Sequence, residues 1–408
     1  MSNPSALGAI CYEAESAFGE DVTTFATARL PVLKSVDASG LKHNKSDSTR
    51  VNQRRQDGTI WNLGTMGGTF KTSLYLTGHG TSTSGAVSAS KLETLLGYVI
   101  GTITDSPPAG TTLTGGTASI PITTASGTFP AGGLCRIGAQ NDGRGNGQFL
   151  AIHDHTTTNL TLLTAMDGVP SDGDALYSAN VVSSTEDPIN GTGITGLRFL
   201  LQTANLQYEC HGCVATAIAI SGLNTGQFPT IDITWTVSWW RYSTSTFPSS
   251  VATETFQPAA NAGGSLFMNA VGTATRAKRV FRDFTLDYKL GVVMLPGPGG
   301  VNPYQMYVGA RRTVDSITVS WMEDADAATT TPVLPLLGEG TAAQHVLWTG
   351  NPTAGKAMGL YFPNFNVSNV AIQAANANIN RLKITGMAYT GPLTTNDLTA
   401  SAMRMGFA

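Results

Sequence analysis

Apolar and polar residues alternate with a period of two along most of this chain, and this alternation constrains the fold more than any other feature. It is clearest in the segment 231–239, IDITWTVSW, whose apolar members are Ile231, Ile233, Trp235, Val237 and Trp239. Successive side chains of a strand point to opposite faces of a sheet, so this spacing predicts a strand with one buried face. Segments 280–290 and 316–321 repeat the pattern. We therefore predict that 231–239 belongs to the core of a large sheet.

One segment departs from this alternation and has helical periodicity instead. Its apolar positions, spaced to lie along one face of a helix, are Leu92, Leu95, Leu96 and Val99. Ser90 and Glu93 have the spacing of an N-terminal capping box, and Gly101 stands where a helix would end. The sequence predicts one amphipathic helix over 90–100, packed by its apolar face on a sheet.

Between residues 106 and 188 the pattern changes to shorter strands with denser turns. Turn-rich segments, 106–116 and 183–193, stand at both ends of this region. Within it we predict four or five short strands, among them 134–137, 149–152, 160–163 and 175–177. Because more than about 15 residues without secondary structure are uncommon in a compact domain, we expect a small inserted β-barrel here.

The predicted fold is thus mainly β. A sandwich or barrel formed by 1–105 and 189–408 would carry one flanking helix, and 106–188 would be an inserted small β-barrel domain.

Charged residues are scarce and nearly balanced in this sequence. They make up 12% of the 408 residues, about half of the roughly 25% that is usual in soluble domains, and the net charge is −3. This balance argues against strong attraction to nucleic acid or to an acidic membrane. The N-terminus lacks the pattern of a signal peptide, and no apolar run reaches about 18 residues. We expect a protein made in the cytosol that has no membrane partner.

The segment 34–68 is the most polar and basic part of the chain. Its basic cluster consists of Lys42, Lys45, Arg50, Arg54 and Arg55, and Trp61 follows them. No apolar periodicity accompanies the cluster, so we expect a long exposed loop. Two interpretations stay open at this point: an arm that contacts a neighbouring subunit, or a solvated loop.

The pair Cys210 and Cys213 has the spacing of a metal or redox motif. A structural zinc site needs about four ligands, and Cys11 and Cys135 are isolated in the sequence. A redox pair would begin a helix, whereas the residues that follow, 214–220, alternate with a period of two. We expect both thiols to be free and buried or partly buried in a strand, where they act as small apolar groups.

No other motif completes a catalytic, metal or cofactor site. His153 and His155 share one face of a predicted strand but lack an identifiable third ligand. The glycine-rich segment 138–148 lacks the Lys-Ser/Thr of a phosphate loop. The adjacent acids Glu323 and Asp324 follow a strand, and their spacing alone does not establish a pair facing across a cleft. The sequence therefore favours a protein that is not an enzyme and needs no cofactor.

The tryptophans allow two interpretations. Trp235 and Trp239 share the predicted apolar face, whereas Trp240 falls on the opposite face, where a partner subunit could cover it. Exposed tryptophans could instead form a platform for sugar rings, as in a carbohydrate-binding or glycan-degrading β-protein.

Several segments together resemble the major tail tube protein of long-tailed bacteriophages. The first is the helix ETLLGYVIG with the preceding KTSLYLTGHGTSTSG. The second is YECHGCVATAIAISGLNTGQFPTIDITWTVSWW, and the third is the C-terminal RLKITGMAYTGPLTTNDLTASAMRMGFA. The resemblance covers, in outline, the chain outside the insert.

This resemblance implies a structural virion protein. Six copies would close a ring, and rings would stack into a tube that conducts the genome without binding it tightly. The segment 34–68 would reach the adjacent ring, and the insert would lie outside the tube. Expected partners are further copies, the tail terminator, the tape measure and the distal tail protein. The location would be the virion tail, with assembly in the host cytoplasm. A tail terminator or a capsid decoration protein is the alternative.

Overall fold

The structure is a computed structural model. It describes residues 9–16, 18–19, 25, 29–31, 33–52, 55–77, 90–104, 111–123, 129, 132–140, 147–184, 196–203, 206–224, 226–243, 252–253, 260–261, 264–270, 278–279, 281–296, 306–310, 316–324, 344–350, 356–376, 379–389 and 401–408. Within these ranges the chain forms 28 strands and one helix, so the predicted mainly β class is confirmed.

The elements follow one another along the chain in three groups. The first group is β1 Ala9–Ala14, β2 Arg29–Leu30, β3 Leu33–Asp37, β4 Leu41–Asn52, β5 Arg55–Tyr75, α1 Lys91–Ile100 and β6 Gly101–Thr104. The second is β7 Thr111–Gly116, β8 Pro121–Thr123, β9 Leu134–Ala139, β10 Phe149–His155, β11 Leu160–Leu162 and β12 Ala175–Ser178. The third is β13 Asn180–Ser184, β14 Leu197–Thr203, β15 Leu206–Ser221, β16 Thr230–Val237, β17 Trp239–Tyr242, β18 Ala252–Thr253, β19 Ser265–Ala270, β20 Lys278–Arg279, β21 Arg282–Lys289, β22 Val293–Pro296, β23 Met306–Ala310, β24 Ser316–Asp324, β25 Gln344–Gly350, β26 Met358–Asn376, β27 Ile379–Ala388 and β28 Arg404–Phe407.

Two long strands, β15 and β26, connect the sheets of the body. The first half of β15 pairs with β14 and β17, and its second half pairs with β16 and β21. Similarly, β26 begins between β25 and β28 and ends beside β27. Each long strand therefore changes its pairing partners along its length, and the strands of the body bury one large apolar core.

Helix α1 flanks the sheet as predicted. Its N-cap Ser90 accepts a hydrogen bond from the Glu93 backbone N–H at 3.0 Å, and the Gly101 N–H caps the other end on Gly97. The predicted apolar face is buried in the core through Leu92, Leu95, Leu96 and Val99. The Glu93 carboxylate is also buried, and it accepts a hydrogen bond from Asn180 Nδ2 at 2.9 Å. This bond ties the helix to β13.

The predicted core strand is β16, and it is central to the body. Ile231, Ile233, Trp235 and Val237 are all buried there, between β5 and β15. The Trp235 ring lies 4.7 Å from that of Phe199, centroid to centroid. The prediction extended this strand to Trp239, but β16 ends at Val237 and Trp239 begins β17.

The predicted inserted barrel is present and nearly closed. Its six described strands follow the order β11, β10, β9, β12, β7 and β8. A bridge between Ile122 and Asn159 joins the two ends, next to a hydrogen bond from the Thr123 N–H to the Thr158 carbonyl at 2.7 Å. A separate apolar cluster fills the interior, so the barrel has its own core. The dense turns in the sequence predicted the barrel, but we expected four or five strands and the structure has six described ones.

The barrel leaves and re-enters the body at adjacent strands. β6 precedes it and β13 follows it, and these two strands pair antiparallel with Thr104 opposite Val181. Although the predicted insert ran to residue 188, β13 belongs to the body, because it also pairs with β28.

The barrel packs on the body through a small apolar joint. Leu134 and Phe149 of the barrel share a buried cluster with Leu347 and Tyr361 of the body. Gly359 provides room for this contact, because a Cβ there would lie 2.8 Å from the Phe149 ring.

A buried arginine crosses this joint. Arg404 donates from Nη1 to the Gly132 carbonyl, and its guanidinium lies 5.7 Å from the centroid of the Tyr361 ring. Burial lowers the pKa of Arg404 to about 10, an effect that Tyr361 partly opposes, and burial raises the pKa of Tyr361 to about 12.

Candidate functional site

The basic segment 34–68 forms strands rather than the predicted loop. β4 pairs antiparallel with β5 from Leu41 opposite Gly68 to Asn52 opposite Arg55. The prediction was wrong because it required apolar periodicity, whereas a two-stranded hairpin satisfies its backbone hydrogen bonds by pairing alone. We call residues 42–67 of this hairpin the arm.

The arm extends beyond the body. β16 pairs with β5 only from Thr230–Tyr75 to Val237–Gly68, so among the described strands the rest of β5 pairs with β4 alone. Strands rise about 3.3 Å per residue, which gives the arm a length of about 35 Å. Of the predicted site residues, Lys42, Lys45 and Arg50 lie on β4, and Arg55 and Trp61 lie on β5. Arg54 lies outside the described residues.

At the root of the arm the two strands approach each other closely, and Trp240 of the body binds their backbone. Gly68 has a φ of 133°, and a Cβ there would lie 2.3 Å from the Gly40 carbonyl oxygen. The Trp240 indole N–H points to two root carbonyls, Gly67 at 3.2 Å and Lys42 at 3.4 Å. Trp240 therefore connects the base of the arm to the core of the body.

The sequence predicted Trp240 on the outer face of the sheet. In the structure it lies in the apolar core instead. The alternation shifts by one residue at Ser238, whose backbone N–H is shared between the carbonyls of His211 at 3.1 Å and Gly212 at 3.2 Å. Trp239 instead stacks on His211, with ring centroids 4.1 Å apart, and donates its indole N–H to Gly19. A local pattern cannot reveal this shift, because it depends on pairing with β15.

Replacing Trp240 with phenylalanine should loosen the root of the arm. The variant keeps an aromatic ring in the core but removes the donor to Gly67 and Lys42. A lost hydrogen bond of about 1 kcal/mol would speed amide exchange in 38–45 about fivefold, measured by hydrogen–deuterium exchange. Trp239→Phe is the matched control, and it should leave this exchange unchanged. Equal exchange in both variants would show that Trp240 does not hold the root.

Cys210 and Cys213 lie on β15, where it turns between the two sheets. Gly212 has a φ of 57° at this corner, and the resulting shift buries both thiols in the core. Burial raises the pKa of the Cys213 thiol well above its usual value, an effect to which neighbouring Cys210 adds. All four cysteines are free and buried, as predicted for Cys210 and Cys213. Burial therefore disfavours the thiolate form of Cys213.

The two histidines considered as possible metal ligands, His153 and His155, lie in ordinary strand environments of the barrel. His153 is exposed on β10, while His155 accepts the Phe129 backbone N–H at 3.2 Å and lies beside Thr123. Burial lowers the pKa of His155, although Asp154 opposes the effect. Among the described residues, no group of three or more His, Cys, Asp or Glu could hold a metal ion.

Glu323 belongs to a buried ion pair rather than to a carboxylate pair across a cleft. Its Oε1 accepts hydrogen bonds from Arg279 Nε and from Trp321 Nε1, each at 2.9 Å. This environment fixes the carboxylate in a structural role.

Five of the six tryptophans are buried and offer no surface for sugar rings. Trp235, Trp239, Trp240, Trp321 and Trp348 are each at most 6% exposed. These five residues therefore do not support the interpretation that tryptophans stack on sugar rings.

The outer face of the central sheet carries a shallow trough of about 570 Å³. Ala217 and Ala219 of β15 are among its lining residues. Its charged residues are Asp37, Lys71, Asp232, Asp287 and Lys289. The trough thus combines small lining residues with charges of both signs.

The single described helix has 10 residues, about half the length that spans a bilayer. No family model and no curated protein matches the chain.

Proposed function

We propose that this chain is the structural subunit of a phage tail tube. In this proposal six copies close a ring, and rings stack into the conduit for the genome. The observation that carries the proposal is the arm, a long basic hairpin that extends from a mainly β body with one flanking helix.

The arm needs a partner for physical reasons. An isolated two-stranded hairpin is at best marginally stable in water, and its outer strand presents unpaired backbone groups. Over most of its length the arm has no third described strand. A neighbouring subunit that covered it would stabilise it, and every ring of a stack would supply the same surface to the next.

Charge favours a second copy as this partner. The arm contains five basic and two acidic residues. Its net charge of +3 stands against −6 for the rest of the chain, which together give the −3 of the whole. Attraction between the arm of one subunit and the body of another would direct stacking. Because the chain outside the arm has few charged residues, less free energy is spent on desolvating charges when subunits associate.

The same composition suits a conduit. Each phosphate that a protein neutralises adds affinity for DNA, so a bore without strong positive charge would let DNA pass. The remaining partners in this proposal are the tail terminator, the tape measure and the distal tail protein. The protein would be located in the virion tail.

Electron microscopy of the purified protein tests the proposal. Negatively stained samples over a range of concentrations should contain tubes with sixfold end views. A single ring or a trimer would favour a tail terminator or a capsid decoration protein instead. Monomers at every concentration would contradict an assembly function.

Charge reversal in the arm should impair stacking without unfolding the body. For the triple variant Lys45→Glu, Arg50→Glu and Arg55→Glu, we expect the subunit concentration needed for tubes to rise about tenfold or more. The matched control exchanges the same positions for the other basic residue, as Lys45→Arg, Arg50→Lys and Arg55→Lys. Sedimentation measures polymer formation, and tryptophan fluorescence checks the fold. Unchanged polymerisation of the triple variant would remove the arm from the interface.

A further inference from the structure

A histidine lies beside the seam of the barrel, the place where β8 meets β11 and the barrel closes. Besides the bridge described above, a hydrogen bond from the Thr123 N–H to the Thr158 carbonyl at 2.7 Å joins the two sides of the seam. His155 is the last residue of β10, and its ring reaches Thr123 on the far side of the seam. Its contacts therefore connect β10 to the closing strand β8.

The two nitrogens of the His155 ring have different partners. The Phe129 backbone N–H approaches Nδ1 at 3.2 Å, and the Thr123 hydroxyl oxygen lies 3.2 Å from Nε2. A backbone N–H can only donate, so Nδ1 must accept this bond and carries no proton. The proton of the neutral ring is therefore on Nε2.

The Thr123 hydroxyl extends this interaction across the seam. Its Oγ1 donates to the Thr158 carbonyl at 3.0 Å, and this bond uses the one hydrogen that a hydroxyl has. Oγ1 must then accept from the N–H at Nε2 of His155. Three groups, on β10, on β8 and in the turn before β11, are thus joined in one chain of hydrogen bonds, which requires the neutral ring.

Phe129 is the core residue that the ring holds in place. Its side chain is 3% exposed and belongs to the apolar cluster inside the barrel. The Phe129 ring meets the imidazole nearly edge-on, with centroids 5.3 Å apart and an angle of 73° between the planes. Because its backbone N–H donates to Nδ1, the position of Phe129 depends on the protonation state of His155.

The surroundings of the ring favour its neutral form. The partners named above carry no charge, nor does Leu160, which pairs with His155 from β11. On its own strand, the Asp154 carboxylate accepts the His155 backbone N–H at 2.8 Å. Burial lowers the pKa of His155 below its ordinary value, and Asp154 only partly opposes this effect.

We propose that His155 is a pH-sensitive latch, which holds the barrel closed while its ring is neutral. Protonation adds a hydrogen to Nδ1, which then faces another donor, the Phe129 N–H. This hydrogen bond is lost, and the seam loosens. A histidine whose pKa is lowered in the folded protein stabilises it fully above the unfolded value, near 6.5, and this contribution is lost as the pH falls through the folded value. The inference does not rest on the proposed function, because all these contacts lie within one barrel.

Hydrogen–deuterium exchange of the full-length protein tests the latch. Rates are converted to protection factors, which remove the intrinsic effect of pH on exchange. Between about pH 7.5 and about pH 5.5, protection in 121–123 and 149–162 should fall about fivefold relative to β16, the effect of one hydrogen bond. His155→Asn keeps an acceptor near the Nδ1 position and does not titrate, so this variant should lose the pH dependence. His153→Asn, at the exposed histidine of the same strand, is the matched control and should keep it.

Three results would overturn the assignment. One is equal barrel protection at both pH values in the unaltered protein, and another is an equal fall in His155→Asn. The third needs no variant, because nuclear magnetic resonance of the imidazole nitrogens shows which of them carries the proton. We expect the proton on Nε2 of His155 at about pH 7.5, and a proton on Nδ1 would contradict the latch.

Discussion

Replacing Arg198 with methionine will lower the free energy of unfolding of the body by about 3–5 kcal/mol. Arg198 on β14 stands opposite Glu13 on β1, and its Nε donates to Glu13 Oε2 at 3.1 Å. Their side chains are only 6% and 9% exposed. Methionine would leave the Glu13 carboxylate buried without this cation, so the protein would bear the cost of desolvating a charge. Urea unfolding followed by tryptophan fluorescence measures the loss, since all six tryptophans lie outside the barrel.

A double variant separates the charge from the packing. Glu13→Leu combined with Arg198→Met removes both charges and fills the space with apolar atoms, so it should recover most of the stability. If Arg198→Met alone costs less than about 1 kcal/mol, the pair is better solvated than its burial indicates.

Replacing Trp235 with alanine should cost a similar amount, about 3–5 kcal/mol, for a different reason. The indole is 1% exposed and packs between Phe70 and Phe199 at centroid distances of 6.0 and 4.7 Å. Alanine would leave a cavity at the centre of the core, between β5 and β15. The same urea measurement detects the loss.

Trp235→Phe is the control for this prediction. It keeps most of the ring volume but leaves the buried hydroxyl of Thr72 without the indole donor, which binds its Oγ1 at 2.9 Å. We expect a smaller loss, about 1–3 kcal/mol. If alanine and phenylalanine cost the same, the cavity is not the main cause.

Local periodicity was sufficient for the helix and most of the core. Leu92, Leu95, Leu96 and Val99 repeat at helical spacing because one face of α1 is buried, and the alternation in β16 has the same origin. The arm followed no such rule. Where backbone pairing rather than burial holds two strands together, the side chains need not alternate, and the sequence then resembles a loop.

Features that depend on distant pairing were not predictable from the sequence. The shift at Ser238 that brings Trp240 under the arm depends on Gly212, 26 positions away. Glu13 and Arg198 are separated by 185 positions. No local pattern connects residues so far apart, although a charged residue within an apolar strand, such as Arg198 in LRFLLQT, was a signal for a buried pair.

The connectivity of the chain would allow the barrel to be removed, whereas the stability of the body depends on its presence. Since β6 and β13 lie side by side, a short turn could replace everything between them without moving either strand. The body would then lose the cover over Leu347 and Tyr361, and Arg404 would lose its acceptor at Gly132. The barrel is therefore exchangeable in topology but not in chemistry: any replacement domain would have to bring its own apolar patch and a carbonyl for the arginine.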